Sequence, residues 1–335
     1  MKIAIHKSSK DFSDKWIEYC KRERINYKLV NCYSNSIISD IDDCTALMWH
    51  FHHENPRDIL FAKELIYAVG NSGKKVFPDF NTSWHFDDKI GQKYILEAIG
   101  APLVPSYVFY SKSEAKEWVQ SANFPKVFKL RRGASAANVR LVRTKKQALR
   151  LINKAFRSGF RLYNPWWGLT ERWRKFRMKK AGIYDLIKGV VRILIKTRFE
   201  KVQGNEKGYI YFQDFIEGCS FDIRVKVIGN KCQAFKRMVR KNDFKASGSG
   251  FFSYVPKEIP KEVIKTAFII SEKLNLQSAA FDFVISKDNK CLLLEMSYMW
   301  GYADVTTKFL GYWDHNMCWH EDGFNPFEGM VDTVI

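Results

Sequence analysis

The chain has 335 residues, 46% of them hydrophobic and 27% charged, ordinary proportions for a globular protein with room for two or three lobes that have cores of their own. Its 55 Lys and Arg against 36 Asp and Glu leave a formal charge of +19, which favours an anionic partner such as nucleotide phosphates, nucleic acid or an anionic lipid surface. Seven dispersed cysteines exclude metal-type Cys spacing and read as reduced thiols. The start MKIAIHKSSKD is too poor in apolar residues for a signal peptide, and no run approaches the roughly 20 apolar residues of a spanning helix, so a cytoplasmic protein is expected.

In chain order, KIAI (2–5), YKLVNC (27–32), TALMWHF (45–51) and KKVF (74–77) read as short strands. Helical stretches near 11–24 and 57–70 alternate with them, the second opening at Pro56 and ending at Gly70. Strands alternating with helices predict a small parallel α/β lobe over 1–84. His50, His52 and His53 fall at a strand end, where a solvated terminus is expected rather than a metal site. HFDDKIGQKYILEAIGAP reads as a helix closed by Gly100 and Pro102. SYVFY, a helix at 113–121, the strand PKVFKL and the small-residue loop GASAAN follow, then VRLV and a basic helix at 144–157. YIYFQDFI (209–216), FDIRVKVIG (221–229) and KCQAFKRMV (231–239) are strands, the last two joined at Gly229-Asn230, a hairpin signal. A helix over 260–274 precedes a final hairpin, SAAFDFVIS and KCLLLEMS, which turns at Asp288-Asn289.

That hairpin carries the chemistry. Asp282 lies on one strand and Glu295 near the end of the other, and a carboxylate at a buried strand end is costly unless something pairs with it. Two readings stay open. The acids can hold Mg2+ or Mn2+, whose hard shell takes carboxylate and phosphate oxygens, or they can form salt bridges with the many Lys and Arg. Lys129, inside an apolar strand directly before a small-residue loop, fits a phosphate clamp beside exposed backbone N–H groups. Lys89 and the pair Lys236-Arg237 are further candidates.

The ordered series DDKIGQK, FKLRRGASAANV, YFQDFIEGCSFDIRVKVIG, AFKRMVRKNDFKASGSG, AAFDFVI and LLLEMS resembles the ATP-grasp superfamily, nearest its RimK-type and glutathione-synthetase branch, over roughly residues 85–300. The resemblance implies an α/β fold in which two α+β lobes grip a nucleotide after a small parallel lobe. The lobes would fall at 85–157 and 208–335, with an insert at 158–207. It implies ATP and Mg2+ as cofactors and carboxylate–amine ligation as the activity. By position, Lys89 and Lys129 match the lysines on the α- and β-phosphates, and Gly133 and Ser135 belong to the phosphate loop. Gln213, Asp214, Phe215 and Ile216 match the hinge whose backbone reads adenine, and Asp222 matches the acid on the ribose. Arg237 and Lys245 match basic positions around the γ-phosphate and acylphosphate, and Asp282 and Glu295 match the metal ligands. Ser297, whose hydroxyl is a poorer ligand, stands where the family usually has Asn, and the phosphate loop keeps only Gly133 where several glycines are common. A phosphotransferase on the same scaffold, and a basic, membrane-docked nucleotide-binding protein without catalysis, are the rival readings.

Where relatives make a short connection, 157–207 holds 14 Lys and Arg against four acids, a net +10. In IYDLIKGVVRILIKTR, Lys188, Arg192 and Lys196 recur every four residues, the pattern of a cationic amphipathic helix. With Trp166, Trp167 and Trp173 nearby, it fits either an anionic inner-leaflet surface or packing on the rest of the protein; nucleic acid ranks last. The tail, with GYWD and WHEDGFNP, resembles those of ATP-grasp proteins associated with bacterial surface polysaccharide synthesis. Its Asp314, His315 and His320 are read as packing groups or as sugar contacts, so the acceptor substrate is expected to be a sugar- or lipid-linked or peptide-like carboxylate.

Overall fold

A computed structural model describes residues 1–8, 12–133, 138–162, 165–177, 182–195, 200–201, 204–240, 243–246, 248–301 and 309–335. The chain divides into two compact units, one of residues 1–86, 95–103 and 218–335 and the other of 87–94 and 104–217.

The first unit begins with β1 (Ile3–His6), α1 (Phe12–Arg22), β2 (Tyr27–Val30), α2 (Ile37–Asp40), β3 (Ala46–Met48), α3 (Pro56–Asn71), β4 (Lys75–Phe77) and α4 (Phe80–Ser83). The strands form a parallel sheet in the order β2-β1-β3-β4, as the alternation of strands and helices predicts. Asn55 caps α3 by accepting from the Arg57 N–H at 3.1 Å, and Pro56 at the first position has no N–H to leave unsatisfied. Strand β3 stops at Met48, and the expected solvated His50 is instead buried, stacked on Phe12 with ring centroids 3.8 Å apart. The Phe12 N–H donates to His50 Nδ1 at 3.4 Å, so the backbone replaces a hydrogen bond that water was expected to make.

The second unit contains the start of α5 (Lys89–Ala98), then β5 (Ser106–Phe109), α6 (Lys112–Ser121), β6 (Lys126–Lys129), β7 (Arg140–Val142), α7 (Lys145–Ala155), β8 (Phe160–Arg161), α8 (Pro165–Arg177), α9 (Ile183–Leu194), β9 (Asn205–Glu206) and β10 (Ile210–Asp214). Its antiparallel sheet runs β5-β10-β6-β7. One face is apolar, with Phe128, Ile210 and Phe212 packed on Val119 and Ile152 of the helices. Ser111 and Thr144 cap the two helices by accepting from Glu114 N–H at 3.4 Å and Gln147 N–H at 3.3 Å. Within the basic insert, β8 and β9 pair antiparallel, and Arg161 donates to the buried Glu200 at 2.7 Å. The insert therefore carries a helix, α8, and a closing ladder that the sequence pattern had not signalled.

The first unit resumes with β11 (Phe221–Ile228), β12 (Lys231–Met238), β13 (Phe252–Ser253), α10 (Lys261–Lys273), β14 (Ser278–Ile285), β15 (Cys291–Ser297), β16 (Tyr312–Asp314), β17 (Trp319–His320) and α11 (Pro326–Asp332). The sheet order is β15-β14-β11-β12-β16-β17, with β13 added beside β12. Gly229 and Asn289 supply the positive φ of the two hairpin turns, +55° and +58°. Alternate residues Ile223, Val225, Val227, Phe281, Phe283 and Met296 bury one face against α10. At the end of the other face, Ile228, Ala280 and Trp300 share a core with Ile3, Ile5 and Met330, so the N-terminal sheet, the C-terminal sheet and the tail helix are stabilised together. The tail is a packing element, in keeping with one of the two readings of its aromatics. Asp314 accepts from the N–H groups of Asn316 and Cys318 at 2.9 and 3.0 Å and pairs with His320 Nε2 at 2.8 Å.

Candidate active site

In the first unit, the ladder register assembles the acids. Residues directly opposite each other on adjacent strands share a face. Asp282 is opposite both Arg224 of β11 and Glu295 of β15, and Asp222 is opposite Arg237 of β12. Asp222 and Arg224 are two residues apart on one strand and so point the same way. Arg224, Asp282, Glu295, Asp222 and Arg237 therefore lie on one face of the sheet, opposite the apolar face that packs on α10. Ser297 is opposite Ala280, two residues along from Glu295, and joins that face; its hydroxyl accepts from the Met299 N–H at 3.3 Å.

The charges are tightly joined. Arg237 donates Nε to Asp222 Oδ1 at 2.6 Å and Nη2 to Asp222 Oδ2 at 2.7 Å. The same Nη2 is 2.7 Å from Asp282 Oδ2. Arg224 grips Asp282 in a second fork, Nε to Oδ1 at 2.7 Å and Nη2 to Oδ2 at 2.9 Å. Two carboxylates and two guanidiniums make a neutral cluster, and the forked geometry is the strong form of such pairs. Burial would raise the Asp282 carboxyl, but Arg224 and Arg237 together hold it well below the usual carboxylate range. Asp222 faces only one guanidinium directly, and burial pushes it up to about 6 against the pull of Arg237. Buried between the two acids, Arg237 is also opposed by desolvation, yet Asp282 and Asp222 raise its pKa further still.

The salt-bridge reading of the strand-end acids finds its geometry in Asp282, both of whose oxygens are held by guanidiniums, while Glu295 stands opposite it on the ladder. Among the described residues, no group of three or more His, Cys, Asp or Glu side chains could hold a metal ion. Two carboxylates and one hydroxyl fit a hard divalent ion that keeps water or takes phosphate oxygens for the rest of its shell. Lys236 does not join Arg237: adjacent on the strand, it points to the other face, 3.5 Å from Glu258. Lys245 is half-buried in a turn where Asp243 Oδ1 accepts from the Phe244 and Lys245 N–H groups at 2.8 and 3.2 Å.

In the second unit, Lys129 is buried on β6 opposite Tyr211. With Gln213 and Ser106 it lies on the polar face, turned from the apolar face of Phe128. Tyr211 Oη and Gln213 Nε2 both meet Ser106 Oγ, at 2.9 and 3.0 Å. Lys89, the first residue of α5, donates Nζ to the Gly133 carbonyl at 2.9 Å, and its N–H reaches the Arg131 carbonyl at 3.0 Å. Gly133, at φ +114°, donates its N–H to Asp87 Oδ1 at 2.7 Å. The structure therefore brings Lys89 and the start of the small-residue loop together; Ser135 lies outside the described residues. Phe215 and Ile216 follow β10, both half-buried. Asp214 is on the face away from Lys129, 2.5 Å from Lys126 Nζ, and its N–H already donates to the Pro105 carbonyl at 2.8 Å. That N–H is removed from the set of hinge donors.

Sequence reasoning overlooked Arg224 and Lys126. Arg224 had a signal: it stands two residues beyond Asp222 on a strand, the spacing that shares a face. Lys126 had none, because only the β6–β10 register puts it against Asp214.

No protein-family model and no curated protein matches the chain by sequence. Solved structures do match. A RimK domain ATP-grasp protein from Sphaerobacter thermophilus superposes with a TM-score of 0.58 at 14% identity, over 100% of this chain and 99% of its own. The N5-carboxyaminoimidazole ribonucleotide synthetase of Thermotoga maritima gives 0.61 at 13% identity, over 99% and 75%. The D-alanine–D-alanine ligase of Bacillus anthracis, solved with ATP, gives 0.56 at 12%, over 100% and 95%. The chain has the ATP-grasp fold.

Proposed function

We propose that the protein is an ATP-dependent carboxylate–amine ligase. The γ-phosphoryl group of ATP passes to a substrate carboxylate, the amine attacks the resulting acylphosphate carbonyl, and phosphate leaves as the amide forms, with ADP as the second product. The observation that carries this reading is the direct opposition of Asp282 and Glu295 on a face that also holds Arg224 and Arg237. Such a face suits a reaction in which charge builds on phosphoryl oxygens. Asp282 and Glu295, with Ser297 beside them, would hold Mg2+, which when bound supplies neutralisation of phosphate charge.

In this reading the chain's own groups divide the work. Lys89 and Lys129 bind phosphate oxygens, and the N–H groups beside Gly133 add donors. Gln213, Phe215 and Ile216 present the hinge to the base. Asp222 orients Arg237, and Arg237 with Lys245 stabilises the transferred group. The reaction draws on cytoplasmic ATP, and the acceptor is a carboxylate on a sugar-linked, lipid-linked or peptide-like substrate, consistent with the likeness of the tail to proteins of surface polysaccharide synthesis.

Product analysis tests the proposal. With Mg2+, ATP and a panel of carboxylates and amines, the ligase yields an amide, ADP and free phosphate in equal amounts. A stable phosphoester in place of the amide identifies a phosphotransferase instead. Calorimetry showing no uptake of Mg-ATP would leave a fold without catalysis.

A further inference from the structure

In a water-facing helix the polar face turns outward. Helix α9 does the reverse. Ile183, Tyr184, Ile187, Val190 and Val191 are all exposed, Ile183 to 68% and Ile187 to 55%. At about 100° per residue they fall in one stripe along the helix. The back of α9 is already covered, because Gly189 is buried against α8. A Cβ added there would meet the Arg172 side chain at 2.9 Å and Leu169 at 3.0 Å. Packing on α8 therefore uses the other side of the helix and leaves the apolar stripe outward.

Cations border the stripe. The Lys188 ammonium sits over the Tyr184 ring at 4.5 Å from its centroid, with its stem along the apolar surface and its charge at the margin. On α8, Trp173 and Phe176 are exposed, 54% and 36%. Arg174 and Arg177 lie on the same helix, and the 157–207 segment carries its net +10. The acid of α9 nearest these groups, Asp185, is 3.7 Å from Arg172, which offsets its charge.

We infer that α8 and α9 form a docking surface for an anionic lipid bilayer, α9 lying in the interfacial plane with its Ile and Val side chains among the acyl chains and the basic groups at the phosphates. Charge decides between occupants. A second copy would bring an equally cationic surface against this one and be repelled. A nucleic acid would pair with the charges but leave the Ile and Val stripe in water. An anionic bilayer satisfies both, and so makes the protein peripheral to a membrane surface. The inference is independent of the ligase reading.

Sedimentation of the full chain with phosphatidylcholine vesicles, with and without phosphatidylglycerol, tests it. Binding is expected only with the anionic lipid and is expected to weaken as salt rises. Lys188→Gln should weaken it about fivefold, the effect of one charge near such a surface. The double variant Ile187→Asp, Val191→Asp should weaken it more than tenfold, through lost apolar insertion and repulsion of the two new carboxylates by the anionic lipid. Both sites are exposed, and an unchanged melt shows that the fold is kept. Equal binding to neutral vesicles, or no effect of the double variant, overturns the inference. So does a concentration-dependent dimer abolished by the double variant, or retention on duplex nucleic acid without vesicle binding. ADP formation measured without vesicles reports separately on the ligase.

Discussion

Asp282 and Glu295 stand directly opposite each other on neighbouring antiparallel strands, and the ladder shifts register immediately after Asp282. The irregularity bends the strand beside the two acids, a feature common near active sites. Glu295→Gln keeps the size and removes the charge. Mg-dependent ADP formation should fall by about 10²-fold or more, with the melting temperature nearly unchanged. Near-normal turnover in this variant would refute the metal assignment.

Arg237 is the centre of the buried ion cluster, touching both Asp222 and Asp282. Arg237→Met leaves two buried carboxylates short of their partner and should destabilise the first unit by about 3–5 kcal/mol. Adding Asp222→Asn to Arg237→Met removes one of the stranded charges and should recover part of that loss. Denaturant titration of the two variants checks this; a double variant no more stable than the single would show that the cluster does not act as a unit.

The buried histidines set a pH dependence. Burial lowers His85 to about 3, with Lys63 adding to the effect, and burial with His52 and His53 holds His50 well below its ordinary value. The unfolded chain binds these protons near pH 6.5, so below pH 6.5, and for His85 down to about pH 3, it holds more protons than the native state. Stability from each is complete above pH 6.5 and is lost as pH falls toward the native value, by about 1.4 kcal/mol per unit of pH per histidine. His85→Asn should flatten the acid limb of a stability curve by about that slope. An unaltered limb would mean that His85 is charged in the native protein.

On the proposed reading Lys89 binds phosphate, and its 2.9 Å hydrogen bond to the Gly133 carbonyl ties the loop to it, so each should matter to nucleotide affinity. Lys89→Ala should raise the KM for ATP by about tenfold or more, since a charge-assisted phosphate contact is worth roughly 1.5–3 kcal/mol. Gly133→Ala meets no neighbour within 4 Å but is strained at φ +114°. A rise in KM there, without a change in the melt, would separate loop geometry from folding. Steady-state kinetics with ADP release as the readout checks both.

Part of this design was visible in the linear order of residues. The parallel N-terminal sheet followed from strands alternating with helices, and the hairpins from Gly229 and Asn289, because such features depend on neighbours in the chain. The hairpin that pairs the strands of Asp282 and Glu295 was legible too, although not their direct opposition: the register running from the turn to Phe283 and Leu293 would put Leu294 opposite Asp282, and only the shift there brings Glu295 in. The burial of His50 was not, because Phe12, its stacking partner, comes from a different element. Nor was the burial of Glu200 against Arg161, a pairing across the insert.

The sequence by itself settled which residues carry charge, where the turns fall and which strand positions alternate, because these are set by local backbone preference and by side-chain periodicity of two or 3.6 residues. Tertiary structure alone decided that Asp222 and Asp282 would share Arg237 and that Asp214 would turn to Lys126. It also decided that the apolar stripe of α9 would face outward. Each of these depends on which distant strand or helix arrives alongside, and a contact between remote segments is fixed by packing of the whole unit rather than by any one segment.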